Sequence, residues 1–186
     1  MVNSTEVNDL SVRVGINSVI EELTFTLPSG QNLLITGANG SGKTTLLRAL
    51  AGEITPTKGF IRIQDPIYLP AGPTNPRFNN VDDYLALVGS EARVEGDFGR
   101  AARTRVLGKP MSKISSGEFK AIALARTLSL SRATYLLDEP SITLDSRTID
   151  LLIAEIRYLN SQDRSFIVAT NNPEDFGALT CEKIVL

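Results

Sequence analysis

The sequence predicts an α/β fold in which a mostly parallel central sheet is flanked by helices. Short apolar runs that suit buried strands alternate with longer segments in which apolar residues recur every three or four positions. The apolar strands are followed by polar or turn-forming residues before the next helical segment begins. Strands and helices in this order need crossover connections, which place helices over both faces of a parallel sheet.

The first part of the chain has a different pattern, in which apolar and polar residues alternate one by one. This alternation predicts half-buried strands at about 10–14 and 23–27. A turn signal at 28–30 then leads into the apolar strand 32–36. Another alternating strand is expected at 60–64.

The rest of the chain supplies the helices and the remaining apolar strands. One helix is expected to begin at residue 43 and end near 52, and the next to span 81–88. A short helix is expected to end at 107, another to follow 117, and the last to span 146–159. The expected strands lie at 67–69, 134–137, 165–170 and 184–186. Asn80 with Asp83 suits the start of the helix at 81, and Asp145 or Ser146 suits the start of the helix that follows the acidic strand.

Composition narrows the classes of protein. A chain of 186 residues can bury a core without disulfides, and its single cysteine, Cys181, cannot form an internal bridge. The net charge of −2 gives no electrostatic reason to expect nucleic acid as a partner. No apolar run approaches the roughly 20 residues of a membrane-spanning helix, so we expect a cytoplasmic chain without direct membrane insertion. The absence of histidine removes imidazole as a base or a metal ligand.

The stretch from Gly37 to Thr44 matches the phosphate-binding pattern G-x-x-x-x-G-K-[ST] between a strand and a helix. Glycines let successive backbone N–H groups turn inward around an anion, and the helix start adds its positive dipole end. Lys43 can reach the β- and γ-phosphates, and the Thr44 hydroxyl suits Mg²⁺. We therefore expect a bound nucleoside triphosphate. The predicted binding residues are Gly37, Ala38, Asn39, Gly40, Ser41, Gly42, Lys43, Thr44 and Thr45.

Two carboxylates, Asp138 and Glu139, directly follow a buried apolar strand. The carboxyl end of such a strand lies at the edge of the sheet where ligands bind in open α/β folds. Asp138 is expected to hold Mg²⁺ together with Thr44. Glu139 is expected to orient or deprotonate the water that attacks the γ-phosphate.

The order of the motifs resembles that of ATP-binding-cassette (ABC) ATPases, the nucleotide-binding subunits of ABC transporters. Residues 114–118 are similar to the L-S-G-G-Q signature of that family, and residues 141–145 resemble its D-loop. The resemblance covers 8–186 and implies a single ABC ATPase domain over 1–186. It implies a P-loop NTPase fold with an N-terminal antiparallel β part and a short helical lobe at about 72–113. The polar lobe can equally be a solvated insertion without a binding role.

The resemblance also implies ligands and partners. In the family, two chains enclose two ATP molecules with Mg²⁺, and the signature of each chain closes over the γ-phosphate held by the other. Ser115 and Gly117 would be the donors here, with Glu118 beside them. The implied partners are a second copy of the chain or a different ABC subunit, and an integral membrane permease that holds the chain at the cytoplasmic face of the membrane. Residues 82–84 would line the groove for that permease or serve as a helix cap.

Four features depart from the family pattern. The Q-loop glutamine is Ala71, and the switch histidine is Asn171, which can donate hydrogen bonds but carries no proton at neutral pH. The signature has Ser116 in place of its first glycine and Glu118 in place of its glutamine, which adds negative charge near a phosphate. Val14 stands where an aromatic residue usually stacks on adenine and allows only an apolar contact.

These departures bear on the rate of the predicted reaction. The predicted catalytic residues are Lys43, Glu139 and Asn171. Removing one preorganised donor from such a site typically costs about 10²–10³ in rate. We therefore expect ATP hydrolysis, slowed by the replaced residues, that drives a separately encoded permease. The alternative is a degenerate or non-transport ABC protein that acts as a nucleotide-responsive regulatory module.

Overall fold

The computed structural model describes residues 4–73, 80–86 and 96–186. The predicted α/β fold class is confirmed, with a parallel sheet flanked by helices and a separate antiparallel sheet. The strands are β1 (Ser4–Val14), β2 (Asn17–Pro28), β3 (Asn32–Thr36), β4 (Lys58–Arg62), β5 (Pro66–Leu69), β6 (Thr134–Asp138), β7 (Ser165–Ala169) and β8 (Cys181–Val185). The helices are α1 (Lys43–Leu50), α2 (Val81–Ala86), α3 (Asp97–Val106), α4 (Ser116–Ser129) and α5 (Ser146–Asn160). Short 3₁₀ helices lie at Met111–Lys113 and Pro173–Phe176.

Among the described residues, the antiparallel sheet has the strand order β2-β1-β4. Its inner face is apolar, because Val7, Leu10 and Val12 of β1 are all buried. Both outer strands pair with β1. Strand β4 lies two residues earlier than the predicted 60–64, because its pairing with β1 runs from Lys58 to Arg62.

The parallel sheet, within the described part of the chain, has the order β5-β6-β7-β3-β8. Every residue of β6 and β7 is buried, which explains their continuous apolar sequences. The register pairs Asp138 at the end of β6 with Ala169 at the end of β7, and Ala169 with Ile35 near the end of β3. The carboxyl ends of these three strands therefore meet at one edge of the sheet.

Side chains on the two faces of the parallel sheet belong to two apolar clusters. Tyr135 and Leu137 of β6 pack with residues of α4 and α5, whereas Leu136 between them packs with α1 and the antiparallel sheet. The alternation of side chains along a strand separates the clusters in this way. The sheet that carries the polar edge is thus covered on both faces.

Most predicted boundaries agree with the structure to within a few residues, but β1 and β2 each begin six residues earlier than predicted, at Ser4 and Asn17. Asn80 caps α2 by accepting a hydrogen bond from the Asp83 backbone N–H at 2.7 Å, and Asp145 caps α5 through the Thr148 N–H at 2.7 Å. The last strand begins at Cys181 rather than 184, because its pairing with β3 starts there. The predicted end of the helix 81–88 lies outside the described residues.

Helix α2 is anchored to α4 through Tyr84. This ring is buried, its centroid lies 5.9 Å from that of Phe119, and the Arg126 guanidinium lies 5.1 Å above it. Residues 82–84 were expected either to line a groove for the permease or to serve as a helix cap. The ring contacts of Tyr84 and the cap hydrogen bond at Asp83 are structural contacts of the second kind. That residues 72–113 form a separate functional lobe stays a prediction.

Candidate functional site

The phosphate-binding loop depends on three glycines with positive φ. The φ values are 147° at Gly37, 84° at Gly40 and 106° at Gly42, a range that side chains disfavour. A Cβ on Gly37 would overlap the carbonyl oxygen of Leu186, and one on Gly42 would lie 2.8 Å from Val19 Cγ1. Gly42 is also the N-cap of α1. The loop therefore presents backbone at a helix start, where N–H groups without helical partners can bind an anion.

Lys43 bends back over this loop. Its Nζ donates to the carbonyl oxygens of Gly37 at 2.8 Å and Ala38 at 3.0 Å, and to Asn171 Oδ1 at 3.0 Å. The lysine is buried, and all three acceptors are neutral oxygens. Its positive charge is thus held above the loop, where it can attract the phosphates of a nucleotide.

Two hard oxygen ligands lie together at the loop and the end of β6. Thr44 Oγ1 donates to Asp138 Oδ2 at 2.7 Å, and the Tyr68 hydroxyl donates to the same oxygen at 3.3 Å. Asp138 is only 2% exposed. Burial, followed by the Asp138 charge, raises the pKa of Tyr68, so its hydroxyl remains a donor.

These oxygens fit Mg²⁺. The described residues contain no group of three or more histidine, cysteine, aspartate or glutamate side chains that could form a larger metal site. Mg²⁺ commonly uses one or two protein oxygens and completes its shell with water and phosphate. Thr44 and Asp138 would hold it here, and the ion when bound would offset the negative charge of the phosphates.

Glu139 is held at the same edge in an unusual backbone conformation. Its φ is 46°, which costs about 1–2 kcal/mol for a residue with a side chain. Its N–H donates to the Ala169 carbonyl at 2.8 Å. Its carboxylate accepts from the backbone N–H of Asn171 at 3.1 Å and from Asn171 Nδ2 at 2.7 Å. The side chain that is predicted to act on water is therefore fixed by Asn171, two residues after the end of β7.

Asn171 connects the two charged groups of the site. Its Oδ1 accepts from the Lys43 ammonium, and its Nδ2 donates to Glu139 and, at 2.9 Å, to Asn39 Oδ1. The orientation of the amide follows from chemistry, because an ammonium only donates and a carboxylate only accepts. The structure thus brings Lys43, Asn39, Glu139 and Asn171 into one hydrogen-bonded network.

Ser115, Gly117 and Glu118 form a second group at the start of α4. Ser115 Oγ accepts from the Glu118 N–H at 3.1 Å, and Glu118 Oε2 accepts from the Ser115 N–H at 2.9 Å, which makes a capping box. Lys109 Nζ donates to Glu118 Oε1 at 2.7 Å, and this contact, with those to Ser115, lowers the pKa of Glu118. The negative charge that the sequence predicts here is therefore paired with Lys109. A Cβ on Gly117 would overlap the carbonyl oxygen of Thr143, so the segment packs against 141–145.

The apolar contact for a base stays a prediction. Val14 ends β1 and is 51% exposed, and Ile16 in the turn after it is 87% exposed. Ile16 was not among the predicted residues, and its exposed side chain two residues after Val14 makes it a further candidate for that apolar contact.

Lys120 is a second residue that the sequence did not reveal. It is 3% exposed, and its Nζ donates to the carbonyl oxygens of Ala71 at 2.8 Å, Asp138 at 3.3 Å and Pro70 at 3.4 Å. Burial lowers the pKa of Lys120 to about 8, while the charges of Asp138 and Glu139 act to raise it. The only sequence signal for it is a lysine within an otherwise apolar helical run.

Comparisons with known proteins decide the family. The family model described as "ABC transporter" matches residues 20–78. The cytochrome c biogenesis ATP-binding export protein CcmA of Ruegeria pomeroyi is 33% identical over 175 residues, which cover 89% of this chain and 83% of that protein. The chain belongs to the ABC transporter ATP-binding proteins. The zinc import ATP-binding protein ZnuC of Roseobacter denitrificans is 32% identical and covers 76% of this chain, which spans 58% of that relative.

A solved structure agrees with this assignment at the level of the fold. An ATP-binding subunit of an ABC transporter superposes with a TM-score of 0.86 at 23% identity, over 98% of this chain and 85% of that chain. ABC ATP-binding proteins bind ATP with Mg²⁺, hydrolyse it, and generally act with membrane permease components. In the part of this ABC chain that the structure describes, no helix combines the length and apolar character needed to cross a membrane.

The predicted site residues of this ABC chain thus fall into separate groups. Lys43, Thr44, Asp138, Glu139 and Asn171 lie together at the edge of the parallel sheet. The signature residues have their own contacts at α4, and Val14 lies at the end of β1. The role of each residue toward ATP stays a prediction.

Proposed function

We propose that this chain is the ATP-hydrolysing subunit of an ABC transporter and energises a separately encoded membrane permease by ATP-driven dimer closure. The observation that carries the proposal is the network at the sheet edge. It joins a phosphate-loop ammonium, Lys43, to a carboxylate, Glu139, beside the oxygen pair of Thr44 and Asp138. These residues are of the types that phosphate binding, metal binding and positioning of water require.

The chemistry assigned to these residues is a single displacement. The loop and Lys43 bind the β- and γ-phosphates, and Glu139 orients a water molecule toward the γ-phosphorus. The water oxygen forms a bond to phosphorus as the bond to the ADP oxygen breaks, and Glu139 accepts the proton. Asn171 keeps the Glu139 carboxylate in position through its 2.7 Å hydrogen bond.

We infer that turnover is slow. Ala71 offers only a methyl group where the family has a glutamine, and Asn171 cannot carry a proton where the family has a histidine. Each lost transition-state donor typically costs about 10²–10³ in rate. Lys43, Asp138 and Glu139 retain the central chemistry, so hydrolysis is reduced rather than abolished.

The separation of the two groups supports dimer closure. Ser115 is exposed at the start of α4, and its hydrogen bonds go to Glu118 rather than to the phosphate loop. A serine hydroxyl and a glycine N–H at a helix start make a second anion site. We propose that this site binds the γ-phosphate held by a second chain, either a copy of this one or another ABC subunit.

The relatives support a permease partner. They are named as an export protein and a zinc import protein, both ATP-binding. We therefore propose that the chain is held at the cytoplasmic face of a membrane by a permease. The relatives named differ in the direction and cargo of transport, so neither is carried over to this chain.

Closure is tested with the Glu139→Gln variant, which is expected to bind ATP without hydrolysing it. Light scattering in ATP and Mg²⁺ should give twice the mass found in ADP. Adding Ser115→Ala to this variant should weaken the dimer, whereas adding Glu182→Gln, on an exposed glutamate of β8, should leave the dimer of Glu139→Gln unchanged. A monomer under all conditions contradicts homodimer closure.

The permease is tested separately, by purifying the tagged chain from gently solubilised membranes. Recovery of a multi-span membrane protein supports the proposal. Recovery of the chain alone from a membrane fraction of its native cell contradicts the permease part of the proposal.

A further inference from the structure

Lys120 places a positive charge behind the predicted metal and water site. The residue lies on α4, four positions after Ser116 at the start of that helix, and is almost completely buried. Its three hydrogen bonds go to two separate segments, the Pro70–Ala71 backbone and the end of β6. One buried ammonium thus links the signature helix, the Q-loop position and the acidic strand.

The Asp138 carbonyl is the contact that matters most. This carbonyl belongs to the peptide group between Asp138 and Glu139, and Lys120 Nζ donates to it at 3.3 Å. The N–H of the same peptide group donates to Ala169 at 2.8 Å. Both ends of the peptide are therefore held, directly before the residue with φ of 46°. A strained backbone persists only where surrounding contacts fix it.

The charge of Lys120 has a second consequence. Within the described part of the chain, its hydrogen bonds go to neutral carbonyls, so no carboxylate neutralises it by direct contact. Burying an ammonium is costly, and an apolar side chain of similar length would avoid that cost. Asp138 and Glu139 are adjacent buried carboxylates, and a nearby cation offsets their mutual repulsion.

We propose that Lys120 is a positioning residue for ATP hydrolysis, which fixes the peptide between Asp138 and Glu139 and ties it to the backbone at Ala71. The inference rests on the proposed function and deepens it. The side chain at 71 is a methyl group, so in this chain the connection between the Q-loop position and the acidic strand is made by the Lys120 ammonium and the Ala71 carbonyl.

The test compares Lys120→Met, which keeps the length without the charge, with Lys120→Arg, which keeps the charge. Lys183→Met removes an exposed lysine of β8 and serves as the matched control. For Lys120→Met, kcat for phosphate release should fall by about tenfold or more, since it loses charged hydrogen bonds at the reacting edge. The kcat of Lys120→Arg should stay within about threefold of the wild-type value, and Lys183→Met should have the wild-type kcat.

Binding measurements separate positioning from a general loss of structure. The Kd for ATP without Mg²⁺ should change by less than about threefold in Lys120→Met, because the phosphate loop is untouched. The factor by which Mg²⁺ tightens ATP binding should fall by about threefold or more, because Asp138 loses its support. Circular dichroism checks the fold, and if Lys120→Met does not fold, Lys120→Gln takes its place.

The inference is overturned if Lys120→Met keeps the wild-type kcat. It is also overturned if Lys120→Arg loses as much activity as Lys120→Met while both bind ATP normally. If the wild-type chain releases no phosphate, it is the proposed hydrolysis that fails. The Mg²⁺ dependence of ATP binding then decides the inference, which fails if Lys120→Met leaves that dependence unchanged.

Discussion

Replacing Asn171 with alanine removes the side chain that links Lys43 to Glu139. The substitution deletes the 2.7 Å hydrogen bond to the Glu139 carboxylate and the 3.0 Å hydrogen bond from the Lys43 ammonium. The backbone N–H of residue 171 still donates to Glu139 at 3.1 Å, so the carboxylate keeps one of its two donors. Asn171→Ala should therefore loosen the orientation of the Glu139 carboxylate without removing its contact with residue 171 completely.

Hydrogen bonds to charged groups contribute about 1.5–3 kcal/mol. Asn171 is exposed, which favours the lower figure, so kcat for Asn171→Ala should fall by about tenfold. ATP affinity should change by less than about threefold, because Lys43 keeps its two backbone acceptors on the loop. The assay is phosphate release over a range of ATP concentrations.

The neighbouring Asn172 supplies the control, since its side chain makes no cap hydrogen bond with the 3₁₀ helix that follows it. Asn172→Ala should keep the wild-type kcat. An unchanged kcat in Asn171→Ala, or an equal fall in both variants, refutes the role given to Asn171.

Three further predictions concern the rate, the packing and the cysteine. Restoring the family side chains with Ala71→Gln and Asn171→His together should raise kcat by about tenfold or more in the same phosphate assay, and no gain contradicts the explanation given for slow turnover. Gly117→Ala should lower the free energy of unfolding in urea by about 1–3 kcal/mol, because its Cβ overlaps a D-loop carbonyl. Gly72→Ala has open space around its Cβ and should leave that free energy unchanged. Burial raises the pKa of the Cys181 thiol from 9.0 to about 11. Alkylation by iodoacetamide at pH 8 should therefore be about a hundredfold slower in the folded chain than in urea, and equal rates contradict that shift.

The same shift implies a direction for stability. A thiol whose pKa is raised by folding ionises first in the unfolded chain, so its contribution is complete below pH 9 and is lost as pH rises towards about 11. A Cys181→Ala variant should lack that alkaline loss. Urea unfolding at several pH values measures the difference.

The fold and the centre of the site could be predicted from the sequence because their signals lie in short contiguous stretches. Lys43 and Thr44 belong to one contiguous motif, and Asp138 and Glu139 follow a continuous apolar strand. Parallel strands place such ends at one edge, so the meeting of Thr44 and Asp138 follows from the order of elements. Asn171 was placed at the site by its resemblance to a family motif.

The residues that were missed depend on distant backbone groups. Lys120 bonds to carbonyl oxygens that any residue type would offer, so no pattern of side chains marks its partners. Lys109 and Glu118 lie on either side of the 3₁₀ helix Met111–Lys113, so their ion pair depends on the path of the chain between them. The early start of β8 likewise follows from its register with β3 rather than from its own sequence.

The most direct test of ATP hydrolysis at this site is phosphate release by the wild-type chain and by Glu139→Gln, with Glu182→Gln as the control. We expect slow, Mg²⁺-dependent release from the wild-type and Glu182→Gln chains. Release from Glu139→Gln should be lower by about a hundredfold, the cost of losing the group that positions the water. Equal release from wild type and Glu139→Gln would contradict the account.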